Sequence, residues 1–252
     1  MSTANQSAPT PRRASRTPWV LVGTGGLFAI ILVVLVGLRL FVFQTYKMPS
    51  ASMLPTLAVG ERFFVNKTEK TMVRGGVIVF GYPEHPEQDF VKRTIGTGGD
   101  VVDVTGGHPI IDGWKVPSCK VGSWSYDEHE PGSAAHHTGD LYVEFLEQSA
   151  YLTFYDGSVG AFPDHQGPYT VKAGEAFVMG DNRNNSHDSR MWFGGAGGGV
   201  PPNLVRGSIG GATDAPRLPA NASAELQAGL AKCLAARPAP GSTTPPAGGR
   251  RS

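Results

Sequence analysis

The sequence predicts a mainly β fold: a β core with an inserted β subdomain, preceded by one N-terminal apolar helix. Three observations predict it. Short β-like runs recur from residue 62 to residue 180, divided by glycine, proline and charged residues. Glycine (34) and proline (20) are abundant in the 252 residues, which favours turns and strands over long helices. Near the N-terminus, residues 19–38 form one unbroken run without a charge.

In chain order, residues 1–18 are polar and predict a disordered cytoplasmic tail. Residues 19–43 predict a transmembrane helix. At ~1.5 Å rise per residue, the uncharged run spans the ~30 Å hydrocarbon core. Trp19 and Tyr46 fall where interfacial aromatics belong, and Arg39 can snorkel out of the bilayer. A cleaved secretory signal has a shorter apolar core, and a buried soluble helix is seldom so apolar. Arg12, Arg13 and Arg16 precede the run with no acid among them, so the N-terminus is expected in the cytoplasm and the rest on the other side of the cell membrane.

Residues 44–212 predict the β domain. "RFFVNK" (62–67), "GVIVF" (76–80), "DFVKRTI" (89–95), "LYVEFLE" (141–147), "AYLTFYD" (150–156) and "EAFVMG" (175–180) read as strands. Residues 104–170 carry weaker signals and predict a loop-rich β insertion. In the C-terminal extension, 213–252, Leu226, Leu230 and Leu234 recur at helical spacing behind Ser223, predicting a capped helix over 223–236. A Pro/Gly/Ser/Thr tail follows. Cys119 and Cys233 can pair or stay free; their spacing fits no zinc or redox motif. The net charge of +1 gives no field favouring nucleic acid.

Three stretches invite chemistry. In "KMPSASMLPTL" (47–57), Ser50 and Ser52 are bracketed by Pro49 and Pro55, and either serine needs a neighbouring base to become a nucleophile. None of the seven histidines stands in a triad spacing, and most lie in turn-like segments that read as solvated. A lysine can replace histidine when burial lowers its pKa. Lys92 is the best placed on local grounds. Strand alternation sets it on one face with Phe90 and Thr94, so an inward face would desolvate it, although a solvated strand face is the commoner setting for a lysine. Lys47, Lys67 and Lys70 stand in linker or turn contexts. Lastly, "GDNRNNSHDSR" (180–190) follows an apolar strand and is polar enough to fix its own backbone. Its acids leave a cation site open, without the acid spacing of an EF-hand loop.

Together "SASMLPTL" (50–57), "DFVKRTIGTGGD" (89–100) and "GDNRNNSHDSR" (180–190) resemble, in order, blocks of the bacterial type I signal peptidase family. "GERFFVNK" (60–67) and "GGVIVF" (75–80) resemble the blocks between them. The resemblance covers about residues 44–103 and 172–212. It implies an antiparallel β catalytic core and an integral-membrane serine endopeptidase with a Ser–Lys dyad, cutting exported preproteins after an Ala-x-Ala pattern. Its partners would be those preproteins, the lipid bilayer and the secretion translocon, with no nucleic acid, no metal and no organic cofactor. Ser52 matches the family's nucleophile and Lys92 its general base. Ser50 matches an oxyanion donor, and Ser186 a residue that orients the lysine. Arg93 with Asp181, and Asp188 with Arg190, match supporting ion pairs. Substrate would add to a strand edge. Met53, Leu54, Met191, Trp192 and Phe193 would either dip into the lipid interface or pack in the core.

The chain departs from the family at "GTGGD" (96–100) and "FGGAGGGVPP" (193–202), where loop shape and substrate preference are expected to differ. Two other classes compete. A repressor-type autoprotease shares the dyad but carries a DNA-binding domain, which this chain lacks. A catalytically inactive, membrane-anchored β module binding exported proteins would show the same fold.

Overall fold

The structure, a computed structural model, describes residues 17–37, 39, 42–130, 133–157, 163–209, 216–239 and 241–245. It divides into two units, Met1–Val42 and Phe43–Ser252.

In the first unit, α1 (Thr17–Gly37) coincides with the apolar run. Its side chains are described from Gly26 onward; the predicted tail before Thr17 and residues 38, 40 and 41 of the predicted span lie outside the described residues. Among the described residues, no helix is long and apolar enough to cross a membrane. Leu27, Phe28, Ile30, Leu32, Val33 and Leu35 are all largely exposed, so this stretch carries no buried stripe of its own.

The second unit is antiparallel β throughout its three sheets. The first holds β1 (Phe43–Lys47), β2 (Arg62–Asn66), β3 (Val77–Tyr82), β4 (His85–Thr97), β12 (Ala176–Met179) and β13 (Val205–Ile209), in the order β1-β2-β13-β3-β4-β12. β4 runs inside this sheet, pairing Ile78 with Lys92 on one side and Met179 with Arg93 on the other. Interior position explains why Val91, Lys92, Arg93, Thr94 and Ile95 are all buried: both faces of this stretch are covered, not only the face with Lys92.

The predicted insertion is β throughout its described part and more regular than its sequence suggests. β5 (Val101–Thr105), β6 (His108–Ile111), β7 (Trp114–Lys115) and β11 (His165–Thr170) form one sheet, ordered β11-β5-β6-β7. β8 (Ser118–Glu130), β9 (Ser133–Leu146) and β10 (Ser149–Asp156) form another. Leu141, Val143, Leu152 and Phe154 pack there with Val121 and Trp124. The predicted C-terminal helix is α2 (Ala224–Ala235), whose Ser223 Oγ accepts from Leu226 N at 3.2 Å as an N-cap. Leu226 is buried in the same cluster, Leu230 and Leu234 pack against it, and Cys119–Cys233 is a disulfide that fastens α2 to β8. The tail beyond is ordered further than expected: Thr243 is buried, and its carbonyl accepts from Glu147 N at 2.6 Å.

Candidate active site

The first component is the turn that follows β1. Residues Ala51–Met53 make one 3-10 turn, with Ser50 extended ahead of it and a cis Leu54–Pro55 bond behind it. Two bonds tie this turn to the polar loop: Asn182 N donates to Ser52 O at 3.1 Å, and Asn182 Nδ2 to Ala51 O at 3.2 Å. Gly180 brings the two segments into contact. A Cβ there would lie 2.3 Å from Ser186 Oγ and 2.5 Å from Ser52 O, so any side chain would force them apart.

Lys92 reaches this turn from β4. Its Nζ lies 2.7 Å from Ser52 Oγ, with both residues buried. Ser50 Oγ lies 3.2 Å from Ser52 Oγ on the partly open side. The Phe90 ring stands 5.5 Å from Nζ, as the shared strand face implies. Burial lowers the Lys92 pKa from 10.5 to about 8; attraction to Asp188 and Asp181 resists that fall, and Arg190 adds to it. The amine therefore loses its proton about two to three pH units earlier than an exposed lysine, so a usable fraction is neutral just above pH 7, held against a hydroxyl.

Two buried carboxylates border the pair, each held by an arginine. Arg93 Nε and Nη2 donate to Asp181 Oδ1 and Oδ2 at 2.8 and 2.6 Å. Arg93 also donates to Gly75 O at 2.6 Å and stacks 4.0 Å over the Tyr151 ring. Arg190 Nε and Nη2 hold Asp188 at 2.8 and 2.9 Å. Burial alone would raise the Asp188 pKa; Arg190, Gly180 N–H and the Ser186 hydroxyl together bring it below the ordinary value. Both acids are thus engaged by guanidinium groups, which leaves the loop no free carboxylate pair for a cation. Among the described residues no group of side chains could hold a metal ion.

The structure brings Ser50, Ser52, Lys92, Arg93, Asp181, Ser186, Asp188 and Arg190 into one neighbourhood. Ser186 differs from expectation in its contact. Its hydroxyl donates to Asp188 Oδ2 at 2.7 Å rather than to Lys92, because the turn in the loop aims it at the carboxylate two residues on. The expected lipid contacts divide: Met53, Leu54 and Trp192 are buried core residues, whereas Met191 and Phe193 are exposed at 39% and 50%. The histidines also depart from the solvated reading in part. His137 is buried with Nδ1 on Asp156, and His108 stacks on Tyr155 beside Glu144.

Sequence reasoning missed the braces behind the loop. Arg183 forms a fully buried pair with Glu144, at 2.6 and 2.8 Å, and burial's upward pull on Glu144 is overcome, leaving its pKa at about 2. Phe154 exchanges backbone bonds with the loop, its N–H donating to Asp181 O and its carbonyl accepting from Arg183 N, each at 2.9 Å. The available signal was Glu144 itself, an acid inside the apolar run "LYVEFLE".

Fold and site together define an antiparallel β protein built around a buried serine–lysine pair. The chain belongs to the signal peptidase family: the family model described as "Signal peptidase, peptidase S26" matches residues 21–211. Signal peptidase I of Pseudomonas aeruginosa is 36% identical over 190 residues, covering 69% of this chain and 63% of that protein. Signal peptidase I of Pseudomonas fluorescens is 33% identical over 208 residues, covering 76% and 69%. That of Aquifex aeolicus is 33% identical over 208 residues, covering 72% and 79%. The chain thus spans less than two thirds of the Pseudomonas aeruginosa protein's length. A crystal structure of a signal peptidase I from Enterococcus faecalis is 24% identical and covers 56% of this chain and 98% of that one, with a TM-score of 0.31.

Proposed function

We propose that this chain is a membrane-bound serine endopeptidase that removes signal peptides from exported preproteins by a Ser–Lys dyad. The observation that carries this reading is the 2.7 Å approach of Lys92 Nζ to Ser52 Oγ inside a buried site. Neutral Lys92 takes the Ser52 proton as Oγ attacks the carbonyl carbon of the scissile bond. The Ser50 hydroxyl and the Ser52 N–H stabilise the oxyanion, a contribution typically worth ~2.7–4 kcal/mol per donor. Lys92 then protonates the leaving amine. In the second half it takes a proton from water, which hydrolyses the ester and restores Ser52.

The other predicted residues act at one remove. Asp181 and Asp188, each held by its arginine, place negative charge near Lys92 without a direct bond, and Ser186 acts through Asp188. The substrate adds as a strand to a sheet edge; β1 is an edge strand that leads directly into Ser50 and Ser52. Side chains preceding the cut follow the Ala-x-Ala pattern, being small enough to lie against the packed aliphatic cluster of Met48, Met53, Leu57 and Val91.

The apolar run at 19–43 anchors the chain once in the cell membrane, with 1–18 cytoplasmic and 44–212 on the extracytoplasmic side, near lipid and the secretion translocon. The exposed apolar side chains of α1 support the anchor, and the Cys119–Cys233 disulfide supports an oxidising compartment for the β domain.

The test is cleavage of an exported preprotein by the detergent-purified full chain beside Ser52→Ala and Lys92→Met, with mass spectrometry locating the new N-terminus. Cleavage after Ala-x-Ala by the parent and by neither variant is expected. No cleavage of several preproteins, with lipid present, would favour an inactive binding module.

A further inference from the structure

The residues around Ser52 contribute to two surfaces of different character. Met48 and Met53 enter the packed aliphatic cluster, whereas Ser50 and Leu54 open onto a cleft of about 820 Å³. That volume lies within the ~300–1,000 Å³ of pockets that enclose a sizeable ligand, and it far exceeds what two small side chains fill. The far wall belongs to neither of the stretches that resemble the family. It is built by Trp124 and Tyr126 of β8 and by Leu218, Pro219 and Asn221, which precede α2.

This wall is fixed in place. Trp124 Nε1 donates to Asn221 Oδ1 at 3.2 Å, which ties the C-terminal segment to β8. Immediately afterwards Ser223 caps α2, Leu226 buries beside Trp124, and the Cys119–Cys233 disulfide closes the attachment. Tyr126 Oη in turn accepts from Asn182 Nδ2 at 2.9 Å, and that same amide group donates to Ala51 O. The wall is therefore bonded to the turn that carries Ser52. The apolar lining is rimmed by the carboxylates of Glu61, Asp127 and Glu128, with Arg217 and with His136, whose Nδ1 lies 2.7 Å from Asp127 Oδ1.

We propose that this cleft binds the segment of the substrate that follows the cut, the beginning of the mature protein. It receives an aliphatic or aromatic side chain from that segment and disfavours an acidic one. The inference rests on the proposed peptidase reading and adds to it a subsite on the leaving side of the scissile bond. Three things argue for this occupant. The cleft begins at Ser50, 3.2 Å from Ser52 Oγ, so it is continuous with the reacting centre. The proposed reading sets the residues preceding the cut on the side of Met48 and Met53, and the cleft opens on the side of Ser50 and Leu54, which leaves it for those that follow. Its carboxylate rim opposes negative charge.

The test uses the full chain and peptides identical up to the cut, with leucine or glutamate at the second to fourth residues after it. The leucine peptide should show a kcat/KM roughly tenfold or more above the glutamate peptide, the scale on which one pocket discriminates side chains. Leu218→Lys should shrink or invert that ratio, and because the ratio is taken within one variant, loss of folded protein cancels. In Ser52→Ala, a photoreactive phenylalanine derivative at the third residue after the cut should label 124–128 or 217–221. Equal cleavage of both peptides, with label confined to β1 and β2, would overturn the cleft while leaving the peptidase reading intact. Label in the cleft without cleavage of any peptide by the parent would keep the docking surface and overturn the peptidase reading.

Discussion

Lys92 shows what burial costs and what it supplies. Its amine is enclosed with no carboxylate bonded to it; Asp181 and Asp188 act from a distance and are held by arginines. The folded-state pKa of about 8 lies below the ordinary lysine value of 10.5, so between these values the folded chain binds fewer protons than the unfolded one. Stability from this group therefore rises with pH through that window, and at neutral pH the lysine is a net cost. Lys92→Met should abolish cleavage yet leave the protein at least as stable as the parent at pH 7, with a gain of up to ~1–4 kcal/mol that narrows toward pH 10.5. Urea unfolding midpoints at the two pH values check this; a variant markedly less stable at pH 7 would show that the lysine's contacts outweigh its desolvation. The sequence left this only half readable: Phe90 two residues before Lys92 allowed an apolar strand face, while the local pattern by itself favoured a solvated one. The Ser186 contact was not readable. Whether its hydroxyl meets a lysine 94 positions away or an aspartate two positions on is decided by loop torsions, which composition does not encode.

At the level of elements, the polar loop keeps its shape through buried ion pairs and through a sheet that the sequence presents as an unrelated insertion. Asp181 is held by Arg93 on β4, while Arg183 is held by Glu144 on β9, so the loop is braced from two sheets at once. Removing one member of such a pair strands the other charge in a low-dielectric interior. Asp181→Ala should destabilise the fold by ~3–5 kcal/mol, read from chemical denaturation, and a loss below ~1 kcal/mol would show that water reaches Arg93. Short β-rich runs bounded by turn residues, such as 62–67 and 89–95, and the helix behind Ser223 were legible because local composition and spacing specify them; the burial of both faces of 91–95 was not, since it comes from the strand's interior place in the sheet. The long β8–β9 hairpin was not. Its residues 125–130 are mostly polar, and its order comes from what packs on it: β10, which pairs with β9 directly across Glu147 and Gln148, and α2, distant in sequence, whose Leu226 shares a cluster with Trp124.

For the whole molecule, the division at Phe43 separates an apolar helix from a domain with its own core. A chain beginning at residue 43 should stay in solution without detergent and still cut peptide substrates, whereas the full chain should sediment with lipid vesicles; carbonate-resistant membrane retention of the shortened chain would place the anchor elsewhere. In the sequence, the uncharged run stands apart from the strand-like runs, and the expected boundary near residue 44 rests on that pattern. That pattern could not foretell that the C-terminal extension is fastened by Cys119–Cys233, because a pair 114 residues apart becomes neighbours only through the complete topology. The central claim, that a buried lysine activates Ser52, is tested most directly by kcat/KM for a signal-peptide substrate as a function of pH. A Ser–Lys dyad predicts a rate that rises as Lys92 loses its proton and levels off above an apparent pKa of about 8, with no such limb in Lys92→Met. A limb centred near ~6.5 that persists in Lys92→Met would contradict it and move the base to a histidine.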